Sequence, residues 1–160
     1  MNKILLAYAS KHGCTEECAK TLAEKLDGET TLWNLKDKNR NDPGTFDKII
    51  IGGSIYAGRI QKEVRDFCDK NESILKEKTL GLFICGTSEG DTAKNQLEAS
   101  YPAALLSSAA VKESFGGMIV LSKMNFLEKK IIKAVAKLDS DMSNLSAETI
   151  DRFAEAINKA

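Results

Sequence analysis

The sequence has no surplus of either charge: Lys plus Arg and Asp plus Glu number 23 each. No global field therefore draws the chain to nucleic acid or to anionic lipid, and charge effects are local. It has a single histidine and four cysteines, Cys14, Cys18, Cys68 and Cys85, with no C-x-x-C pair among them. That leaves no zinc set of the usual spacing, and in a reducing cytoplasm, the expected compartment, the four are thiols. No apolar stretch approaches the roughly 18 residues that a membrane span needs. The opening Met1 to Tyr8 lacks a signal peptide's long apolar centre and small-residue cleavage site. Two nucleotide signatures are also missing: there is no G-x-x-x-x-G-K-[ST], and no G-x-G-x-x-G opens the first helix. A nucleoside triphosphatase or a dinucleotide enzyme of the usual kind is thereby set aside.

What is present has the size and balance of one globular domain, residues 1–160, with 42% apolar and 29% charged residues spread along the chain. Lys3 to Ala9 is a short apolar run ending in small polar residues, the mark of a parallel strand buried on both faces. After the loop Ser10 to Thr15, residues Cys14, Cys18, Leu22 and Leu26 recur every four positions and Asp27-Gly28 ends the run, which predicts a helix. Further strands are expected at Thr30 to Leu35, Lys48 to Ser54, Thr79 to Cys85 and Ser114 to Val120, the last weakened by its glycines. Helical faces follow at Ile60, Val64, Phe67, Cys68 and Leu75, at Ala93 and Leu97, and at Ile150, Phe153, Ala154 and Ile157 behind a Ser146 N-cap. Five strands alternating with helices imply an α/β fold with a parallel sheet covered on both faces. Ligands of such sheets lie beyond the carboxyl ends of the strands. Attention therefore falls on the loops Ser10 to Thr15, Ser54 to Gly58 and Gly86 to Asp91.

In the first loop Ser10 and Thr15 offer hydroxyls, Gly13 allows a close turn, and the helix beyond presents free N–H groups and its positive end to an anion. A phosphate suits this set, although the same Ser and Thr also serve as caps of an ordinary strand-to-helix turn. Cys14 and Cys18 lie one helical turn apart near that helix start, a spacing that reads first as an inward-packed face, with a redox pair as the lesser alternative. Cys68 and Cys85 read as core.

Ser10-Lys11-His12-Gly13-Cys14-Thr15 resembles the flavodoxin family's first loop, Ser/Thr-x-Thr-Gly-x-Thr, which closes around the phosphate of FMN. The resemblance extends through Ile49 to Gly58 and Phe83 to Gly90, and covers nearly the whole chain. It implies a doubly wound five-stranded parallel sheet of order 2-1-3-4-5, and FMN as cofactor. It also implies a phosphate held by Ser10, His12, Cys14 and Thr15 within a loop that includes Lys11 and Gly13. The flavin ring would then face Ser54, Ile55, Tyr56, Ala57 and Gly58 on one loop and Gly86, Thr87, Ser88, Glu89 and Gly90 on the other. No catalytic side chain and no metal are expected. His12 stands where the family usually has a hydroxyl and Cys14 where it often has Asn. Only Tyr56 is available as a stacking aromatic. Ala57 stands at the place of a glycine whose peptide turns toward the reduced ring, where positive φ costs about 1 kcal/mol more than for glycine.

Between the fifth expected strand and the last helix lies an insertion, Leu121 to Leu145. In it Met124, Leu127, Ile131, Val135 and Leu138 form one face and Lys129, Lys130, Lys133 and Lys137 crowd the rest. With the Ile-Gly-Gly-Ser-Ile-Tyr-Ala-Gly element at Ile51 to Gly58, this resembles the flavodoxin-fold menaquinone-dependent protoporphyrinogen oxidases. Three functions follow as expectations: an FMN electron-transfer protein, an FMN-dependent oxidase of protoporphyrinogen type passing electrons to a quinone, or an interaction protein that kept the fold without the cofactor. The expected partner is a redox protein or quinone, with no nucleic acid. Weak membrane-surface contact through Leu121 to Leu145 competes with a helix packed on its own domain.

Overall fold

Runs of aliphatic residues pair side by side in the computed structural model, which describes residues 1–38, 40–135 and 141–160, with the backbone alone at 134 and 135. The elements in chain order are β1 (Lys3–Ala9), α1 (Cys14–Glu24), β2 (Glu29–Asn34), β3 (Lys48–Tyr56), β4 (Arg59–Ile60), α2 (Lys62–Leu75), β5 (Thr79–Cys85), α3 (Gly90–Ser100), α4 (Ala103–Ser108), β6 (Val111–Ser114), β7 (Met118–Ile119), α5 (Phe126–Val135), β8 (Met142–Ser143) and α6 (Ala147–Lys159). Five of the strands form a parallel sheet in the order β2-β1-β3-β5-β6. Counted among themselves these five have the order 2-1-3-4-5 expected of a flavodoxin-like sheet.

Alternate side chains of the central strands point to opposite faces, and each face has its own core. Leu5, Ile49, Ile51, Leu80 and Leu82 pack with Val64 and Phe67 of α2, Leu97 of α3 and Leu105 of α4. Ile4, Leu6, Ile50 and Phe83 pack with Cys18 and Leu22 of α1 and with Ile150 and Phe153 of α6. Each fully buried side chain of this size stabilises the fold by about 1.5–3 kcal/mol. Phe83 stacks on Phe115 at 4.5 Å between ring centroids and meets Phe153 edge-on at 5.9 Å. Its neighbour across the ladder is Gly52, where a Cβ would run into the Phe83 ring.

Two buried polar groups tie helices to the sheet. Lys48, 5% exposed at the start of β3, donates from Nζ to the carbonyls of Ile157 at 2.7 Å and Ala160 at 3.1 Å. It thereby satisfies the carbonyls left open at the C-terminal end of α6. The buried Tyr101 hydroxyl reaches the carbonyls of Ile51 at 3.1 Å and Phe83 at 2.5 Å, bridging β3 and β5.

The fifth parallel strand lies earlier than the sequence predicts. It is Val111–Ser114, and the expected Ser114 to Val120 shares only Ser114 with it. The chain leaves the sheet there because Gly116 takes a left-handed φ of 79° with the Asn144 carbonyl packed against its Cα, a place no Cβ can enter. Beyond it Met118–Ile119 pairs antiparallel with Met142–Ser143, closing the base of the insertion. The hairpin β3–β4 and the short helix α4 carry no clear sequence signal.

Candidate functional site

The first loop is shaped by its own glycine. Gly13 has a left-handed φ of 91°, its N–H donates to Ser10 Oγ at 3.0 Å, and α1 begins at the next residue. Among the described residues no side chain caps the α1 N-terminus, so its first N–H groups and dipole end are open to an anion. Lys36 Nζ holds the Ser10 carbonyl at 2.7 Å. Thr15 is completely buried behind the loop, and its hydroxyl has no hydrogen-bond partner among the described residues.

The second loop is the tight turn of the β3–β4 hairpin. Tyr56 pairs with Arg59 across it, leaving Ala57 at φ 51° and Gly58 at φ 79°, both left-handed as a two-residue hairpin turn of the primed kind demands. Ser54 N–H donates to Gln61 Oε1 at 3.0 Å, and Gln61 Nε2 returns a bond to Ser54 Oγ. In the third loop Gly86 N–H donates to the Gly116 carbonyl at 3.0 Å, and Gly117 presses its backbone against Gly86. Asn144 fastens this corner, donating to the Thr87 carbonyl at 2.9 Å and accepting from Gly117 N–H at 2.8 Å.

The three loops surround one open cleft of about 360 Å³, a volume within the usual range for small-molecule sites. Ser10, Lys11, His12 and Cys14 line it from the first loop, Ser54 to Gly58 from the second, and Gly86, Thr87 and Ser88 from the third. Gly13 and Thr15 stand behind the lining. Glu89 and Gly90 face away into a neighbouring depression of about 480 Å³ beside α3 and β6.

The insertion contributes a wall that sequence periodicity does not reveal. Met124, Glu128, Ile131 and Ile132 line the cleft. Leu127, expected on the inward face, is 64% exposed, and Ile131 is 49% exposed even at the cleft edge. Of the other positions expected here, Lys137 and Leu138 and the Val135 side chain lie outside what the structure describes. The helix is rotated from its expected setting because Glu128 anchors it. Glu128 N–H donates to Asn125 Oδ1 at 2.8 Å and Asn125 N–H returns to Glu128 Oε1 at 3.3 Å, a capping box at the start of α5. The second carboxylate oxygen accepts from His12 Nε2 at 3.0 Å and lies 3.4 Å from Lys11 Nζ. Lys11 Nζ also sits 3.4 Å from the centroid of the Tyr56 ring, a cation–π contact. Burial by itself would raise the Glu128 carboxyl. The bonds from Asn125, His12 and Tyr56 and the charge of Lys11 outweigh it and bring the carboxyl down to about 2. The spacing Asn125-x-x-Glu128 was the available signal for this helix start; nothing in the sequence marks Asn144 as a clamp.

A family profile described as a flavodoxin domain matches residues 5–146. The chain belongs to the flavodoxin domain family. Solved flavodoxins share its fold across their whole length. The two-electron reduced flavodoxin of Megasphaera elsdenii superposes with a TM-score of 0.63 at 18% identity, covering 98% of this chain and 99% of that one. Oxidised flavodoxin 1 of Bacillus cereus gives 0.59 at 18% identity over 98% and 97%. A short-chain flavodoxin associated with a non-canonical PDU bacterial microcompartment gives 0.61 at 18% over 99% and 98%. As in the family's expected sheet, the cleft of this flavodoxin-domain protein opens at the carboxyl ends of β1, β3 and β5. Among the described residues no helix is long and apolar enough to cross a membrane.

Proposed function

We propose that the cleft holds FMN, with the phosphate at Ser10 to Thr15 and the ring between Ser54 to Gly58 and Gly86 to Ser88. As a member of its family the chain is an FMN-binding, flavodoxin-like electron-transfer protein. The observation that carries the site assignment is the first loop: an uncapped helix N-terminus, a buried Thr15 hydroxyl without a partner, and Lys11 and His12 already drawn to a carboxylate. Those groups fit a phosphate dianion. Ser10, His12, Thr15 and the backbone N–H of Cys14 would hold it with Lys11. Tyr56, 38% exposed at the rim, is the aromatic available to cover the ring. Glu89 and Gly90 face elsewhere and drop out of the contact set. Bound there, FMN supplies one- and two-electron redox chemistry. The chain's own residues bind it, orient it and shield it from water.

The deciding experiment compares absorbance and affinity for FMN with those for riboflavin. Tight binding of FMN with riboflavin at least about tenfold weaker is expected, since a charge-assisted phosphate contact contributes more than 1.4 kcal/mol. Equal affinities would remove the phosphate from the first loop.

A redox protein or quinone is the partner we propose, in the cytoplasm. Phe126 at 82% exposure and Leu127 at 64% form an apolar knob among Lys129, Lys130 and Lys133. This basic end of α5 beside the cleft suits an acidic redox protein, and liposome flotation distinguishes that from weak membrane-surface contact. Nothing in the site favours protoporphyrinogen oxidation.

A further inference from the structure

Three thiols meet behind the first loop. Cys14 opens α1, Cys18 follows one turn later, and Cys85 ends β5. Their Sγ atoms all lie within 4.8 Å of one another, and all the cysteines are free. Their surroundings differ: Cys14, 9% exposed at the start of α1, and Cys85, 2% exposed, line the cleft, whereas Cys18, also 2% exposed, lies beneath it. Hydrogen bonds from Cys18 and then Cys85 lower the Cys14 thiol pKa against the effect of burial, helped by the Met118 N–H and the Lys123 charge. Cys18 and Cys85 are displaced upward in return, chiefly by the same contacts with Cys14. The start of α1 favours the same distribution, one thiolate at the rim over two neutral thiols.

Position and burial decide between two uses of the trio. A thiophilic divalent ion would take the trio as three thiolates, one negative charge more than the ion balances, in a core shared with Leu22, Phe83 and Phe115, and among the described residues only these three ligand atoms converge there. Oxidation needs only the rim thiolate and a neutral thiol beside it. We propose that Cys14 is a hydroperoxide-reactive thiol that closes onto Cys18 as a disulfide in the first turn of α1. Cys85 is held in the ladder opposite Ser54. The first turn of α1 follows the left-handed Gly13 and has no side-chain cap, so it is the segment that yields. Positions four apart on a helix have Cβ atoms about 5–6 Å apart, and a disulfide brings them to about 3.8 Å.

In the first step Cys14 Sγ attacks one oxygen of hydrogen peroxide. The O–O bond breaks, and Cys14 becomes a sulfenic acid as the departing hydroxide takes a proton to give water. In the second, Cys18 Sγ loses its proton and displaces the sulfenic oxygen. The S–S bond forms, the S–O bond breaks and a second water leaves. The two sulfurs lose two electrons, and the peroxide gains them.

The test treats the full-length protein, with and without FMN, with hydrogen peroxide and maps the tryptic peptides by mass. Cys14 and Cys18 share the peptide His12 to Lys20, so their disulfide appears as the loss of two hydrogens within it, whereas a bond to Cys85 joins two peptides. Oxidation of the shared peptide at least about tenfold faster than reaction at Cys68 is expected, because burial, with Asp69 and Glu72, pushes the Cys68 thiol up to about 12. Cys18→Ser should leave a sulfenic acid on Cys14 that dimedone traps. Reaction no faster than at Cys68, a Cys14–Cys85 bond, or one equivalent of metal held by the trio in the purified protein would each overturn the proposal. The FMN-free arm tests the thiols alone. Slower oxidation with FMN bound bears on the cleft assignment, on which only that arm rests.

Discussion

Glu128 divides its two carboxylate oxygens between two tasks, one closing the capping box of α5 and the other meeting His12 and Lys11 of the first loop. Its folded carboxyl is held at about 2, below the ordinary 4.5. A depressed carboxyl contributes stability above the unfolded value and loses it as pH falls toward the folded one. Wild type should therefore have a higher thermal midpoint than Glu128→Gln at neutral pH, and the gap should close between pH 4.5 and about 2. A gap independent of pH in that window would show that the carboxylate charge does not anchor the insertion. At this scale sequence reading went far in the loops. The hydroxyls and the close turn at Gly13 follow from residue type, and Ala57 does take the positive φ that a glycine-like place demands. It went less far with Glu128, whose partners His12 and Lys11 lie over a hundred positions away.

Among the elements, β1, β3 and β5 were legible because strands buried on both faces leave uninterrupted aliphatic runs. The edge strand Val111–Ser114 was not, since it is only four residues long and none of them is fully buried. Its glycine-rich continuation looked the more apolar of the two. The face of α5 was misread for a related reason: hydrophobic periodicity assumes that burial follows apolarity, and here a charged residue is the buried anchor. Lys48 is the same exception within a strand. Replacing it by Met removes two charge-assisted bonds to the end of α6 and should cost about 1–3 kcal/mol, measured by chemical denaturation. Lys62→Met, at an exposed ion pair, should change stability by less than about 1 kcal/mol. Equal effects would mean that the α6 terminus is held by packing alone.

For the molecule as a whole, the balance of 23 basic against 23 acidic residues bears on the cofactor's reduction. Acidic flavodoxins disfavour the anionic, fully reduced flavin by repulsion, and over distances near a Debye length of about 10 Å that repulsion depends on net charge. The lower-potential couple of bound FMN is expected to be less negative here than in acidic flavodoxins measured in the same buffer. An equally low potential, unchanged by added salt, would assign it to groups touching the flavin instead.

The contact between Glu128 and the first loop gives that loop an occupant supplied by the chain itself. On the phosphate assignment, loading the cleft is an exchange of one anion for another rather than capture from bulk solvent. Part of the free energy gained at Lys11 and His12 is then spent on releasing the carboxylate. The rate of loading would follow how often α5 lifts away, becoming independent of ligand concentration at saturation, and the insertion would work as a latch that the cofactor must open.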